Sequence, residues 1–144
     1  MRYRIVIDGE IEEDVLIYAK NRSDTLLRLE ELLKDESAEL IGFCENGDAV
    51  PISASEIMCV TVEDGRVFAL TQNERLRMRM RLYQLEECLG EQFIKINQSC
   101  IVRISAIERF ETSFSGALNV RLKNGFKDYV SRRQMKTVKE RLGF

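Results

Sequence analysis

Two short stretches hold side chains suited to gripping another molecule, and both lie in the last third of the chain. Ser131-Arg132-Arg133 opens a run, Arg132–Leu142, whose spacing predicts a helix capped by Ser131 and stopped by Gly143. The first turn of such a helix has free backbone N–H groups and here holds Arg132 and Arg133, so phosphate is the ligand its chemistry suits. Lys136 and Lys139 follow one and two turns on and extend the same cationic line. The second stretch is Asn97-Gln98-Ser99. It places three polar side chains between the apolar runs Phe93–Ile96 and Cys100–Val102, which is turn chemistry.

Both stretches belong to the basic part of an uneven chain. Residues 91–144 carry 11 basic and 5 acidic side chains, residues 1–40 carry 6 and 11, and residues 41–90 carry 5 and 8. The total of −2 therefore hides a closing segment of +6. Three loops punctuate that segment, at Asn97–Ser99, Ser113–Gly116 and Lys123–Gly125. A cationic surface of loops and a helix start describes a phosphate-backbone binder. An ordinary solvated basic face has the same composition, and charge alone does not separate the two.

The composition narrows the classes of function. Histidine is absent, so nucleophilic triads built on His are excluded and the commonest metal ligand is missing. No phosphate-cradling GxxxxGK[ST] or GxGxxG loop occurs. Neither an enzyme, a metal site nor a bound cofactor is expected. The four cysteines, Cys44, Cys59, Cys88 and Cys100, have no metal-ligand spacing, and Cys59 and Cys100 lie in apolar runs where Cys behaves as a small buried hydrophobe. No apolar run approaches the roughly 20 residues that span a bilayer, and the N-terminus lacks a signal-peptide pattern, so a cytoplasmic location is expected.

The elements that must position these residues are mostly short strands. Arg2–Ile7 and Val15–Ala19 read as strands, and Ser23 caps a helix over Asp24–Lys34. This small N-terminal β-β-α leader, residues 1–37, has too little apolar surface to fold alone. From residue 38 to 144 the pattern changes. Strands are expected at Leu40–Cys44, Ala49–Ser53, Glu56–Glu63, Arg66–Thr71, Arg75–Met80, Phe93–Ile96, Cys100–Val102, Ile107–Thr112, Ala117–Leu122 and Phe126–Val130. Asn46-Gly47-Asp48 and Asp64-Gly65 supply hairpin turns. Arg75, Arg77 and Arg79 alternate with Leu76, Met78 and Met80, giving a strand with one wet basic face and one buried face. That basic face would suit nucleic acid, but a plain solvated strand face is the preferred reading. Leu82–Leu89 is a short helix ended by Gly90, and Ile104–Ile107 is a single helical turn. Without a strand–long helix–strand crossover, the sheets are expected to be antiparallel, in a mainly β fold with two or three short helices.

From about Ala38 onward the sequence resembles the LytTR family of DNA-binding domains found in bacterial transcription regulators. The features that carry the resemblance stand in the family's order: EIMCVTVEDGRVFAL (56–70), YQLEECLG (83–90), FIKINQSCIVRISAI (93–107), and a hairpin with an NG turn leading into VSRRQMKTVKERL (130–142). The resemblance implies an elongated, layered arrangement of short antiparallel sheets whose loops enter the DNA major groove. It places Asn97, Gln98 and Ser99 in the family's recognition loop, where His is common at the first position. Gln98 would pair with an adenine edge, and Asn97 would do the same or take a phosphate. It places Arg132 and Arg133 at the family's second contact, with Arg133 reading guanine, and Arg66 nearest the third. It also implies double-stranded DNA with repeated half-sites, a homodimer on that DNA, and, as in some small stand-alone members, a membrane-anchored inhibitory partner.

Two functions are thus in view: a sequence-specific transcription regulator, and an interaction module whose basic face docks an acidic or membrane-anchored partner.

Overall fold

The computed structural model describes residue 10, residues 17–35 and residues 39–144. The strand expected at Arg2–Ile7 and the boundary at residue 37 lie outside them, as do Val15 and Leu16 of the second expected strand. Ile17–Ala19 have no regular structure. Helix α1, Asp24–Asp35, starts as expected: the Ser23 Oγ accepts from the Leu26 N–H at 3.2 Å.

Seven strands form one sheet: β1 (Glu39–Phe43), β2 (Ala49–Ser53), β3 (Cys59–Glu63), β4 (Arg66–Leu70), β5 (Arg75–Met78), β6 (Phe93–Asn97) and β7 (Cys100–Arg103). Their order is β2-β1-β5-β4-β3-β7-β6. Three more, β8 (Ile107–Thr112), β9 (Leu118–Leu122) and β10 (Lys127–Val130), form a small sheet ordered β10-β9-β8. Every pairing is antiparallel. Two further α-helices, α2 (Leu82–Leu89) and α3 (Arg132–Leu142), complete the described elements, with single 3₁₀ turns at Ala54–Glu56, Gly90–Gln92 and Ile104–Ala106. The fold is mainly β, as the sequence implied.

Strand alternation sorts the large sheet into two faces. Val60, Ala69, Leu76, Met78 and Ile101 point one way and pack with Leu85 and Leu89 of α2 into a first core. Cys59, Cys100, Val102, Ile94 and Ile96 point the other way. They meet Leu118, Val120 and Leu122 of β9, Val130 of β10 and Val138 of α3 in a second core. Each such buried aliphatic side chain contributes about 1.5–3 kcal/mol.

The second layer covers only part of its face. Over β1, β5 and β4 that face carries Phe43, Phe68, Arg66, Arg75, Arg77 and Arg79, which border an open groove.

Some boundaries differ from expectation. The strand expected to begin at Glu56 begins at Cys59, because Ser53 and Glu56 cap each other around a 3₁₀ turn: the Ser53 N–H donates to Glu56 Oε2 at 3.0 Å. The strand expected to reach Met80 ends at Met78. The Asp64-Gly65 hairpin is as expected, with φ of 50° and 73° at its two central residues, the left-handed pair such a two-residue turn requires.

Candidate nucleic-acid interface

Pairing register brings three segments to one end of the large sheet. β3 and β7 are neighbours with Thr61 opposite Cys100, and the Val62 N–H donates to the Ser99 carbonyl at 2.8 Å. The Asp64-Gly65 turn and the Gln98-Ser99 turn therefore project from the same end. The Ser131 N–H donates to the Ile96 carbonyl at 2.8 Å, so α3 starts beside the tip of β6. It then runs back along β6, and Arg141 Nη1 donates to the Phe93 carbonyl at 2.9 Å. Arg66, Gln98, Ser99, Arg132 and Arg133 thus share one end of the molecule, all exposed. Lys136 stands one turn along α3, exposed, with a 3.9 Å contact to Glu140.

Asn97 has a different place from the one its sequence position suggested. It is 1% exposed, so it presents no edge to a base. Its Nδ2 donates to the Tyr129 carbonyl at 2.8 Å and to Asp128 Oδ2 at 3.1 Å, and its Oδ1 accepts from the Ser99 N–H at 2.8 Å. It is the peg that fixes the turn to the small sheet. Gln98 is the outward residue, and its side chain makes no hydrogen bond with another described residue.

The helix start is equally well fixed. Ser131 Oγ accepts from the Gln134 N–H at 3.3 Å, which anchors the first turn of α3. Arg132 and Arg133 in that turn make no ion pair among the described residues.

Much of the remaining basic charge in this segment is used internally. Arg103 donates to the Ile57 carbonyl at 2.8 Å, to Gln92 Oε1 at 2.7 Å and to the Ala54 carbonyl. Glu111 holds Arg109 at 3.1 Å, Arg121 at 3.1 Å and Lys127 at 2.7 Å on the outer face of the small sheet. The Lys127 hydrogen bond, with Arg121 and Arg109 close by, keeps the Glu111 carboxyl below the ordinary glutamate value. Lys123 Nζ donates to the Ser105 carbonyl at 3.0 Å, and Asn124 Nδ2 to the Thr71 carbonyl at 3.3 Å. The turn at Lys123–Gly125 therefore lies at the far end of the sheet, so the three loops of the basic segment do not form one surface.

The turn at Ser113–Gly116 does lie at the same end as the Gln98-Ser99 turn and the start of α3. Thr112 pairs with Leu118 and Leu118 with Val130, immediately before Ser131. Its tip carries Phe114, fully exposed. The sequence marked this segment as a loop without showing its place. The register Thr112–Leu118–Val130 gives that place once the strands are paired.

In the second core, burial pushes the Cys59 thiol up to about 12 and raises the Cys100 thiol, with Asp128 adding to both shifts. Both are structural thiols. No group of His, Cys, Asp and Glu among the described residues could hold a metal ion, and no described helix is long and apolar enough to cross a membrane.

Comparison with known proteins agrees with the fold. The chain is 31% identical, over 99% of its length and 98% of theirs, to HTH-type transcriptional regulators of Staphylococcus aureus strains NCTC 8325 and COL. Among the described residues no two α-helices are consecutive in the chain, so that label describes the relatives' name rather than this architecture. A solved LytTr DNA-binding domain from Bacillus cereus shares the fold, with a TM-score of 0.68 at 19% identity, covering 74% of this chain and 98% of that one. The family model described as LytTr DNA-binding domain matches residues 47–143, and this chain belongs to that family.

Proposed function

We propose that the protein is a sequence-specific transcription regulator that reads DNA with the end of the large sheet described above. The observation that carries this reading is the convergence of the Asp64-Gly65 turn, the Gln98-Ser99 turn and the start of α3 in a chain of a DNA-binding family.

In this reading Gln98 offers its amide to an adenine edge and Arg133 its guanidinium to guanine O6 and N7. Arg66 makes the third contact, from the hairpin beside them. Arg132, Ser99 and the free N–H groups of the first helical turn take phosphates, and Lys136 follows the backbone. Asn97 holds the turn and touches no base. Two copies on repeated half-sites would place this set in successive major grooves.

Selection of genomic fragments by the purified protein, at two salt concentrations, recovers a site if the reading holds. On that site Arg133→Ala costs about 1–3 kcal/mol of discrimination at one base position. Equal affinity of Arg133→Ala and wild type in a fluorescence-anisotropy titration would remove Arg133 from the reading set.

A further inference from the structure

The turn Ser113–Gly116 joins β8 to β9 at the same end of the molecule as Arg66, Gln98 and Arg133. It is tightly pinned. The Gly116 N–H donates to the Ser113 carbonyl at 3.0 Å, and the Ser113 N–H donates to the Ala117 carbonyl at 2.9 Å. Gly116 has a φ of 80°, the left-handed residue that follows a type I turn in a short hairpin loop. The hydroxyls of Ser113 and Ser115 are hydrogen-bonded to each other at 2.8 Å. Both flanking side chains are therefore engaged within the turn, and the Phe114 ring between them is fully exposed.

Nothing in the construction of the turn calls for that ring, because the second position of a type I turn accepts most side chains. The other hairpin tips of the two sheets are Asn46-Gly47, Asp64-Gly65, Gln72–Glu74, Gln98-Ser99 and Lys123–Gly125, and they hold only polar residues and glycine. An aromatic ring held out in water is stabilised only by meeting an apolar surface outside the fold.

DNA offers three such surfaces. An opened base step in the minor groove is met by apolar wedges that stand among Arg, Lys, Asn or Gln, and residues 113–117 include none of these. The bases of a single strand stack on rings set in a basic groove. Phe114 stands on a hairpin tip, and Arg109, Arg121 and Lys127 of the small sheet are held by Glu111. The 5-methyl group of thymine, in the major groove, requires only an apolar side chain. Stacked sheets lie about 10 Å apart, so the turn stands off from Gln98 by a distance that fits within the major groove, which is about 12 Å wide.

We propose that Phe114 is a further specificity residue, packing on the methyl group of a thymine that flanks the bases assigned to Gln98 and Arg133. This rests on the DNA-reading proposal above and adds to it an uncharged contact from the small sheet.

The test uses the full chain, the site recovered by selection, and fluorescence anisotropy. Phe114→Ala should weaken binding by about tenfold with an unchanged urea midpoint, since the ring lies outside both cores. Phe114→Leu, which keeps an apolar group, should restore most of the affinity. Replacing each thymine of the site by uracil in turn removes one methyl group and nothing else. At one position wild type should lose about fourfold, and Phe114→Ala should lose nothing there. The contact is overturned if Phe114→Ala binds the site as tightly as wild type, or if every uracil substitution affects the two proteins equally. Either result leaves the reading by Gln98 and Arg133 standing. Failure of the selection to recover any site overturns that reading and this contact with it.

Discussion

Asn97→Ala removes the partner of the Ser99 N–H and one partner of the Tyr129 carbonyl. Urea unfolding should show a loss of about 1–3 kcal/mol. Asn97→Asp keeps the acceptor but sets a carboxylate against Asp128 and the Tyr129 carbonyl in a buried site, so it should cost at least as much. Both variants should also weaken DNA binding, because the turn that presents Gln98 loses its peg. The thiols give a separate check. Cys59 and Cys100 are buried and protonated at pH 8, while Cys88 is exposed. Native protein treated with iodoacetamide at that pH should be labelled at Cys88 and spared at Cys59 and Cys100, as peptide mapping would show. At this scale the sequence was only partly legible. Asn97, Gln98 and Ser99 look alike in a linear reading. What separates them is contact with Asp128 and Tyr129, which lie 31 and 32 residues away and enter only through the packing of the small sheet.

The start of α3 and the outer face of the small sheet each depend on one side chain. Ser131→Ala removes the acceptor for the Gln134 N–H and should cost about 1 kcal/mol, read as a lowered urea midpoint. Glu111 has a folded-state pKa below its unfolded value, because of the Lys127 hydrogen bond first and the two arginines beside it. Its stabilisation is present above the unfolded value and lost as pH falls through the folded one. Stability measured from neutral pH down through the glutamate range should therefore fall more gently in Glu111→Gln than in wild type. Elements were more legible than single side chains. The helix expected over Asp24–Lys34 follows from the Ser23 cap and apolar spacing, that over Leu82–Leu89 from its Gly90 stop, that over Arg132–Leu142 from the Ser131 cap and Gly143 stop, and β5 from the alternation of Arg and apolar residues. The late start of β3 was missed because EIMCVTVE is β-prone throughout. The reciprocal Ser53–Glu56 cap overrides that propensity for its first residues.

At the scale of the whole molecule, one sheet is the shared wall of two cores. Ile101 faces the core with α2, and Leu118 the core with α3. Ile101→Ala and Leu118→Ala should each cost about 2–5 kcal/mol. Because the cores have their strands in common, far-ultraviolet circular dichroism and tyrosine fluorescence should report one coincident transition in each variant. The antiparallel, mainly β class was legible from short strands and the absence of crossovers. The sheet order was not, since nothing local to β1 or β5 says that they become neighbours. The charge count was legible but misleading. It predicted a broad basic surface, whereas Arg103, Arg109, Arg121, Lys123, Lys127 and Arg141 are engaged with the protein's own carbonyls and carboxylates.

The separation between Asn97 and Gln98 has a consequence for how such a protein can change. The buried amide carries the architecture, and its exposed neighbour carries none of it. Gln98 and Arg133 can be exchanged for other side chains without disturbing a hydrogen bond within the described fold. If these two read bases as proposed, the address that the protein recognises can be rewritten one letter at a time, on a frame that does not register the edit.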